Sequence, residues 1–290
     1  MGAPIPRFAT VGVIGLGLIG GSVAHGCRTR GLAARVIGVD TDPGHRRTAL
    51  RRGLVDEALE QIDSGLEQAE LVLLAVPVGA MERVAAAVGA RLAPQVVVTD
   101  VGSVKGAIVP VLERALGDGV QYVPGHPIAG TERSGPEAAS GNLFEGHLCV
   151  LTPTACTASA ATQAVRALWE GLGARVVTMA PGDHDEIFGA VSHLPHVVAY
   201  ALVNAVLDRE GEGVDLVQFS AGGFRDFTRI AASNPGMWRD ILLLNREAIL
   251  RALTRFRGSL ERITEAIAQG DGEAIMAELE RARELKGRLT

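Results

Sequence analysis

The sequence predicts an α/β fold, a doubly wound and mostly parallel sheet followed by an all-helical domain, and three observations carry that expectation. Short β-branched runs alternate with helical patterns through roughly the first 180 of 290 residues. Runs such as Leu71-Val72-Leu73-Leu74-Ala75 are continuously apolar instead of alternating, as strands covered by helices on both faces should be. After Met179 the strand signals stop and long stretches of helical period take over.

In chain order, strands are expected near Val11–Ile14, Val36–Val39, Leu71–Ala75, Val96–Thr99, Gln121–Val123, Leu148–Leu151 and Val176–Thr178. A first helix is expected from Leu18 to Arg28. Pro181-Gly182-Asp183 supplies a break, and helices are expected over His184 to Leu207, Trp238 to Arg257, and Ser259 to the end. This divides the chain into residues 1–180 and 181–290. The Glu, Arg and Lys of the terminal helices read as a solvated face, and no repeat or further module is expected.

Composition bounds the function. With 47% apolar, 21% charged and 4% aromatic residues the chain has the make-up of a soluble globular enzyme. Its net charge is −5 and its cations are scattered, which excludes the basic stripe that nucleic acid requires. Cys27, Cys149 and Cys156 form no C-x-x-C pair and suit a reducing cytoplasm. The apolar run Val11 to Val23 is too rich in glycine for a signal peptide. Leu71 to Met81 is about half of the ~20 residues a bilayer span needs, so no membrane helix is expected.

The segment Gly15-Leu16-Gly17-Leu18-Ile19-Gly20 directly follows an apolar strand and opens a helix. In that setting the first glycine allows the tight turn, the second lets backbone approach phosphate, and the third lets helix meet strand, as in the Rossmann dinucleotide fold. Gly15, Gly17, Leu18, Ile19 and Gly20 are thus candidate pyrophosphate residues, the helix dipole and free N–H groups favouring an anion without any lysine. Asp40 ends the second strand twenty positions after Gly20, where a carboxylate accepts ribose hydroxyls and repels a 2′-phosphate. NAD is the expected cofactor, although Arg46 and Arg47 lie close by. Val76 and Pro77, just past the third strand run, are assigned to the same cofactor.

Polar groups among small turn residues cluster in Asp100-Val101-Gly102-Ser103-Val104-Lys105, in Gly125-His126-Pro127-Ile128-Ala129-Gly130-Thr131-Glu132, and in Ser192-His193-Leu194-Pro195-His196. A fourth segment, Gly222 to Arg229, offers two guanidiniums suited to carboxylates. With Asn234-Pro235-Gly236-Met237-Trp238, these segments resemble the prephenate/arogenate dehydrogenase family over the span from the glycine loop to about Asn245.

The resemblance implies an oxidative decarboxylation of a cyclohexadienol on the route to tyrosine, with hydride passing to NAD(P)+ and the helical domains forming a homodimer. A ring alcohol that loses hydride also loses its hydroxyl proton, and a neutral imidazole is the natural acceptor. His126 matches the family's catalytic histidine, on what reads as a strand-end loop. Ser103 matches the serine that bonds the same hydroxyl or orients His126. Arg229 corresponds to the arginine that grips the substrate carboxylate, His196 to a substrate-contacting histidine, and Glu132 to an acidic residue at the site mouth. His193 is assigned to substrate binding with helix-start packing as its rival, while His25, His45, His147 and His184 read as structural, and Lys105 as a holder of loop carbonyls. The His193-x-x-His196 spacing is metal-like, but Pro195 intervenes and no further ligand completes a tetrahedron, so no metal is expected. The substrate is a small molecule, prephenate or arogenate, with no nucleic acid or membrane partner. One alternative is a β-hydroxyacid dehydrogenase or imine reductase, which would place a lysine or other group on the first long helix where this chain has His193 and His196, and would give His126 no role; the other is an NAD-holding redox sensor without turnover, which would not need His126 and Arg229 together.

Overall fold

The computed structural model describes residues 8–62, 64–130, 133–207 and 217–287. In chain order the elements are β1 (Phe8–Ile14), α1 (Leu18–Thr29), β2 (Ala33–Val39), α2 (Pro43–Arg51), β3 (Glu57–Leu59), β4 (Leu71–Leu74), α3 (Met81–Gly89), β5 (Val97–Asp100), α4 (Val109–Leu116), β6 (Gln121–Val123), β7 (Gly125–Ile128), β8 (Leu148–Leu151), α5 (Ser159–Gly171) and β9 (Arg175–Thr178). The helical part then follows: α6 (Pro181–Phe188), a π-helical turn (Gly189–His193), α7 (Leu194–Leu207), α8 (Gly222–Thr228), α9 (Pro235–Leu244), α10 (Arg246–Gln269) and α11 (Gly272–Lys286).

Six strands form one parallel sheet in the order β3-β2-β1-β4-β5-β6. The chain reverses direction of winding between β1 and β4, so their carboxyl ends open a crevice, the place where doubly wound sheets bind ligands. Both faces are covered. One core layer packs Val11, Val13 and Leu73 against Val23 and Cys27 of α1 and Trp169 of α5, with Trp169 edge-on to Phe144 at 5.2 Å. The other packs Ile14, Val72 and Leu74 against Met81, Ala85 and Leu112. Trp238 and Ile241 of α9 join this second layer, which fixes the helical part onto the sheet.

Three features depart from the sequence reading. The last two expected strands leave the main sheet and form a second one, β7-β8-β9, with β7 antiparallel to β8 and β8 parallel to β9. Its strand β7 contains His126, so His126 lies on a strand paired with Val150 and not on a loop. Gly125 and Pro127 gave that stretch the look of a loop, but β7 is an edge strand, where a residue without an N–H is tolerated. Finally, the helix expected from His184 to Leu207 starts earlier and contains the π turn, while Asn245 breaks the one expected from Trp238. At Gly189 in the π turn a methyl group would meet the Ala248 methyl at 3.1 Å, so glycine lets α10 come close.

The continuous helical run Pro181–Val206 is long and apolar enough to cross a bilayer by length and composition alone. The sequence points to a helix here, from His184 to Leu207, but the expectation of no membrane helix rests on the runs Val11 to Val23 and Leu71 to Met81 and does not weigh this one. Its buried face carries His184, Asp185 and His193, which serve the site described next.

Candidate functional site

The crevice between β1 and β4 is lined on one side by the glycine loop. Gly15 has φ +94°, and a methyl on it would overlap the Ala75 carbonyl. A methyl on Gly20 would overlap the Gly15 carbonyl and approach the Ala75 methyl to 2.9 Å, so helix and strand touch there. Gly17 is different. It caps α1 with no side-chain bond to the first-turn amides, and among the described residues nothing lies within 4 Å of where its Cβ would be. The first turn of α1, with Leu18 and Ile19, therefore presents free N–H groups to an open cradle that fits a pyrophosphate. Val76 approaches Gly15 and, with Pro77, forms the opposite wall after β4.

Asp40 stands at the end of β2. Its Oδ2 accepts the Leu16 N–H at 2.8 Å and lies 3.1 Å from His45 Nδ1, while Oδ1 accepts the Asp42 N–H at 2.9 Å. The carboxylate so braces the glycine loop. Arg46, the nearby cation that left room for a 2′-phosphate, instead donates to the Asp40 and Thr41 carbonyls and to Glu60.

Next to β4, the loop after β5 carries Ser103 and Lys105. Lys105 is fully buried; its Nζ donates to Asp100 and, at 2.6 Å, to the Gly125 carbonyl. Asp100 also accepts the Gly102 and Gly125 N–H groups and the Tyr122 hydroxyl. This buried cluster ties the Ser103 loop to the strand that presents His126. Burial pulls the Lys105 pKa down, against the opposing charge of Asp100.

His126 is half-buried. Its Nδ1 lies 2.8 Å from His184 Nε2, and His184 Nδ1 lies 2.8 Å from Asp185 Oδ1. Phe188 stacks edge-on to His126 at 5.2 Å and keeps water from that side. His193 is 1% exposed; Asn245 Nδ2 donates to its Nδ1 at 3.0 Å, and the Ser103 backbone carbonyl lies against the ring. His193 thus sits under the Ser103 loop as a strut. His196 stacks on Trp238 at 3.6 Å and bonds the Ser192 carbonyl through Nδ1 at 2.9 Å. Arg229 starts the turn after α8, exposed, in a turn that packs on α7. Glu132 lies outside the described residues.

Sequence reading brings together Ser103 and His126, and misses their neighbours. His184, read there as a structural histidine, is the direct partner of His126. Asp185 and Asn245 were not singled out. His184 lies 58 positions from His126, and neither spacing nor periodicity links a helix to an edge strand of a separate sheet.

Burial, first of all, pushes the pKa of His126 well below the ordinary imidazole range, with the charges of His184, Lys105 and His193 adding to it. Burial also lowers His184 and takes His193 down to about 4. All three are neutral near pH 7. An unfolded imidazole titrates near 6.5, so as pH falls below that value the unfolded chain takes up protons that the folded chain refuses. Stability is complete above about pH 6.5 and drops toward pH 4, by about 3 kcal/mol from His193 alone. The denaturant midpoint should therefore be clearly lower at about pH 4.5 than at pH 7; an unchanged midpoint would contradict the burial of these rings.

Comparison with known proteins bears on this geometry. The sequence model described as "Prephenate dehydrogenase, nucleotide-binding domain" matches residues 23–178, and "Prephenate dehydrogenase, dimerization domain" matches residues 180–281. A curated protein of Zymomonas mobilis named cyclohexadienyl dehydrogenase is 39% identical over 270 residues, 93% of this chain and 92% of its own. The crystal structure of prephenate dehydrogenase from A. aeolicus in complex with hydroxyphenyl propionate and NAD+ superposes with a TM-score of 0.92 at 38% identity, covering 97% of this chain and 98% of that one. That of Synechocystis arogenate dehydrogenase superposes with a TM-score of 0.81 at 32% identity, over 97% and 100% of the two chains.

Proposed function

The chain belongs to the prephenate dehydrogenase family, and from that premise we propose that it converts prephenate to 4-hydroxyphenylpyruvate and CO2 with NAD+ as hydride acceptor, in tyrosine biosynthesis. The observation that carries the reaction is a neutral, half-buried imidazole, His126, on β7, next to the Gly125 carbonyl that Lys105 of the Ser103 loop holds.

Bound NAD+ supplies an acceptor for the hydride from the hydroxyl-bearing ring carbon. His126 takes the proton of that hydroxyl, and Ser103 orients it. As the carbon becomes carbonyl-like, the bond to the ring carboxylate breaks, its electron pair enters the ring, and CO2 leaves. The aromatic oxygen then recovers the proton from His126, so the imidazole ends neutral. Aromatisation drives the step, and the chain's task at the carboxylate is to orient it. We assign that task to Arg229, whose planar fork matches two oxygens. His196 and Glu132 are assigned to the substrate's other end, His193 to support of the Ser103 loop, and Asp40 to the adenosine ribose. Residues 1–180 hold the cofactor and 181–290 the substrate.

A second reading is favoured by the relative named cyclohexadienyl dehydrogenase and by His196. Its Nδ1 bonds a carbonyl, which leaves Nε2 as an acceptor suited to the ammonium of arogenate. Steady-state turnover on prephenate and arogenate, each with NAD+ and NADP+, decides. The proposal expects prephenate with NAD+ to lead by about tenfold or more in kcat/KM, or about 1.4 kcal/mol. Comparable values on both substrates would replace it with the second reading.

The helical domain pairs two copies into a homodimer. The model matching residues 180–281 is that of a dimerization domain, and Val191, Leu243, Leu250, Leu260 and Ile267 leave large apolar side chains in solvent. Light scattering should give twice the chain mass, and a monomer at working concentration would overturn the pairing. The enzyme works in the cytoplasm, in keeping with its free cysteines.

A further inference from the structure

Asp185 is an unusual carboxylate, because it faces two ways. Its Oδ1 accepts the Lys105 backbone N–H at 2.8 Å and its Oδ2 accepts the Gly106 N–H at 2.7 Å, so it binds the Ser103 loop to α6. Both oxygens of Asp185 are thus engaged as acceptors. The 2.8 Å contact with His184 must then be donated by His184 Nδ1–H. A neutral ring has one N–H, so His184 Nε2 carries a lone pair. The 2.8 Å contact between that atom and His126 Nδ1 must in turn be donated by His126. The hydrogen-bond directions run one way along the chain, and they end with an unprotonated Nε2 on His126.

We propose that His184 and Asp185 are positioning residues that fix His126 as its Nδ1–H tautomer, leave Nε2 bare as proton acceptor, and share the charge once His126 is protonated. The inference rests on the reading of His126 as the base. The fold gives the arrangement its rigidity. His184 is fully buried, Phe188 packs on both rings at 4.6 and 5.2 Å, and Asp185 is held by backbone amides from another element. Among the described residues, the groups facing His126 are His184 of α6, Lys105 of the loop after β5, His193 of the π turn and, against its backbone N–H, the Cys149 thiol of β8. Of these only His184 is linked to an acceptor-only anion through a ring, and only it can select the tautomer.

The test is imidazole nitrogen NMR on full-length protein labelled with 15N-histidine, with the kinetics of the same proteins. In the wild type, His126 should be protonated at Nδ1 and bare at Nε2. In His184→Phe it should change to the Nε2–H form, with kcat down about 10²-fold and KM for NAD+ and prephenate within about twofold, because a misoriented base binds substrate but does not react. His184→Gln places an amide oxygen near the lost Nε2 and restores an acceptor for His126 without the link to Asp185. It should keep the wild-type tautomer and recover most of the lost rate, while the acid limb of its kcat/KM profile moves to lower pH, since His126 loses the anion that helps it hold a proton. A wild-type His126 protonated at Nε2, or His184→Phe turning over at the wild-type rate, would overturn the proposal; should the Phe variant not fold, the wild-type spectrum and the Gln profile decide. His126→Ala is measured in parallel. If that variant keeps the wild-type rate, the base reading falls regardless of the tautomer; if it is dead while His184→Phe is unimpaired, only the positioning role falls.

Discussion

Replacing His126 by alanine should lower kcat by about 10² to 10⁴-fold, the usual contribution of a positioned base, while the KM values for both ligands stay within a few-fold. The size of the effect follows from where the ring sits. Its low proton affinity keeps it neutral at working pH, so every molecule is competent to accept a proton, and rate should fall only in acid. Phe188 and His184 wall it on two sides, so no bulk-water base replaces it easily. A loss confined to KM would mean that His126 binds substrate without taking its proton, and would remove the chemical step derived above.

The second large effect concerns the glycine loop, where two substitutions of one methyl group should separate folding from binding. Gly17→Ala meets no atom of the described residues and has φ −70°, a value any residue adopts, so melting temperature should not change. The methyl group nevertheless occupies the cradle through which backbone meets phosphate, and KM for NAD+ should rise by about 10 to 10²-fold, a loss of about 1.4 to 2.8 kcal/mol. Gly20→Ala forces its methyl into the Gly15 carbonyl, which should cost stability by about 1–3 kcal/mol as well as cofactor affinity. Equal effects of the two substitutions on melting temperature would show that the loop is a structural turn and not a ligand cradle.

These two sites mark how much of the molecule is legible in its sequence. The cofactor end is readable because its determinants are consecutive: an apolar strand, glycines at fixed offsets, a helix start, and Asp40 at the end of the next strand all report the same backbone path. The parallel order of the main sheet follows from doubly apolar runs such as Leu71–Leu74, which need cover on both faces. β3 escapes notice because Glu57-Ala58-Leu59 is a short edge strand with no apolar run. β7 escapes because Gly125 and Pro127 look like a turn unless one knows that the strand has one partner only.

The reacting end is half legible for a related reason. Ser103, His126 and His196 lie in small-residue segments that announce themselves locally. The groups that set their state do not. His184 reaches His126 from a helix across a sheet edge, Asn245 reaches His193 from the break between α9 and α10, and the π turn shifts the helix face by a residue in a way that a 3.6-residue period cannot register. Lys105 shows the intermediate case. Sequence reading places it on loop carbonyls, and its Nζ does meet one, at Gly125, but the buried Asp100 that makes a charged lysine tolerable there is visible only in three dimensions.

The central claim is that this crevice couples hydride loss from a cyclohexadienol to proton transfer onto His126, and one measurement meets it directly. Purified protein is mixed with NAD+ and prephenate, and the absorbance of reduced nicotinamide is followed together with release of CO2. The account predicts reduced nicotinamide and CO2 in equal amounts from the wild type and almost none from His126→Ala; no reduction with either prephenate or arogenate would contradict it.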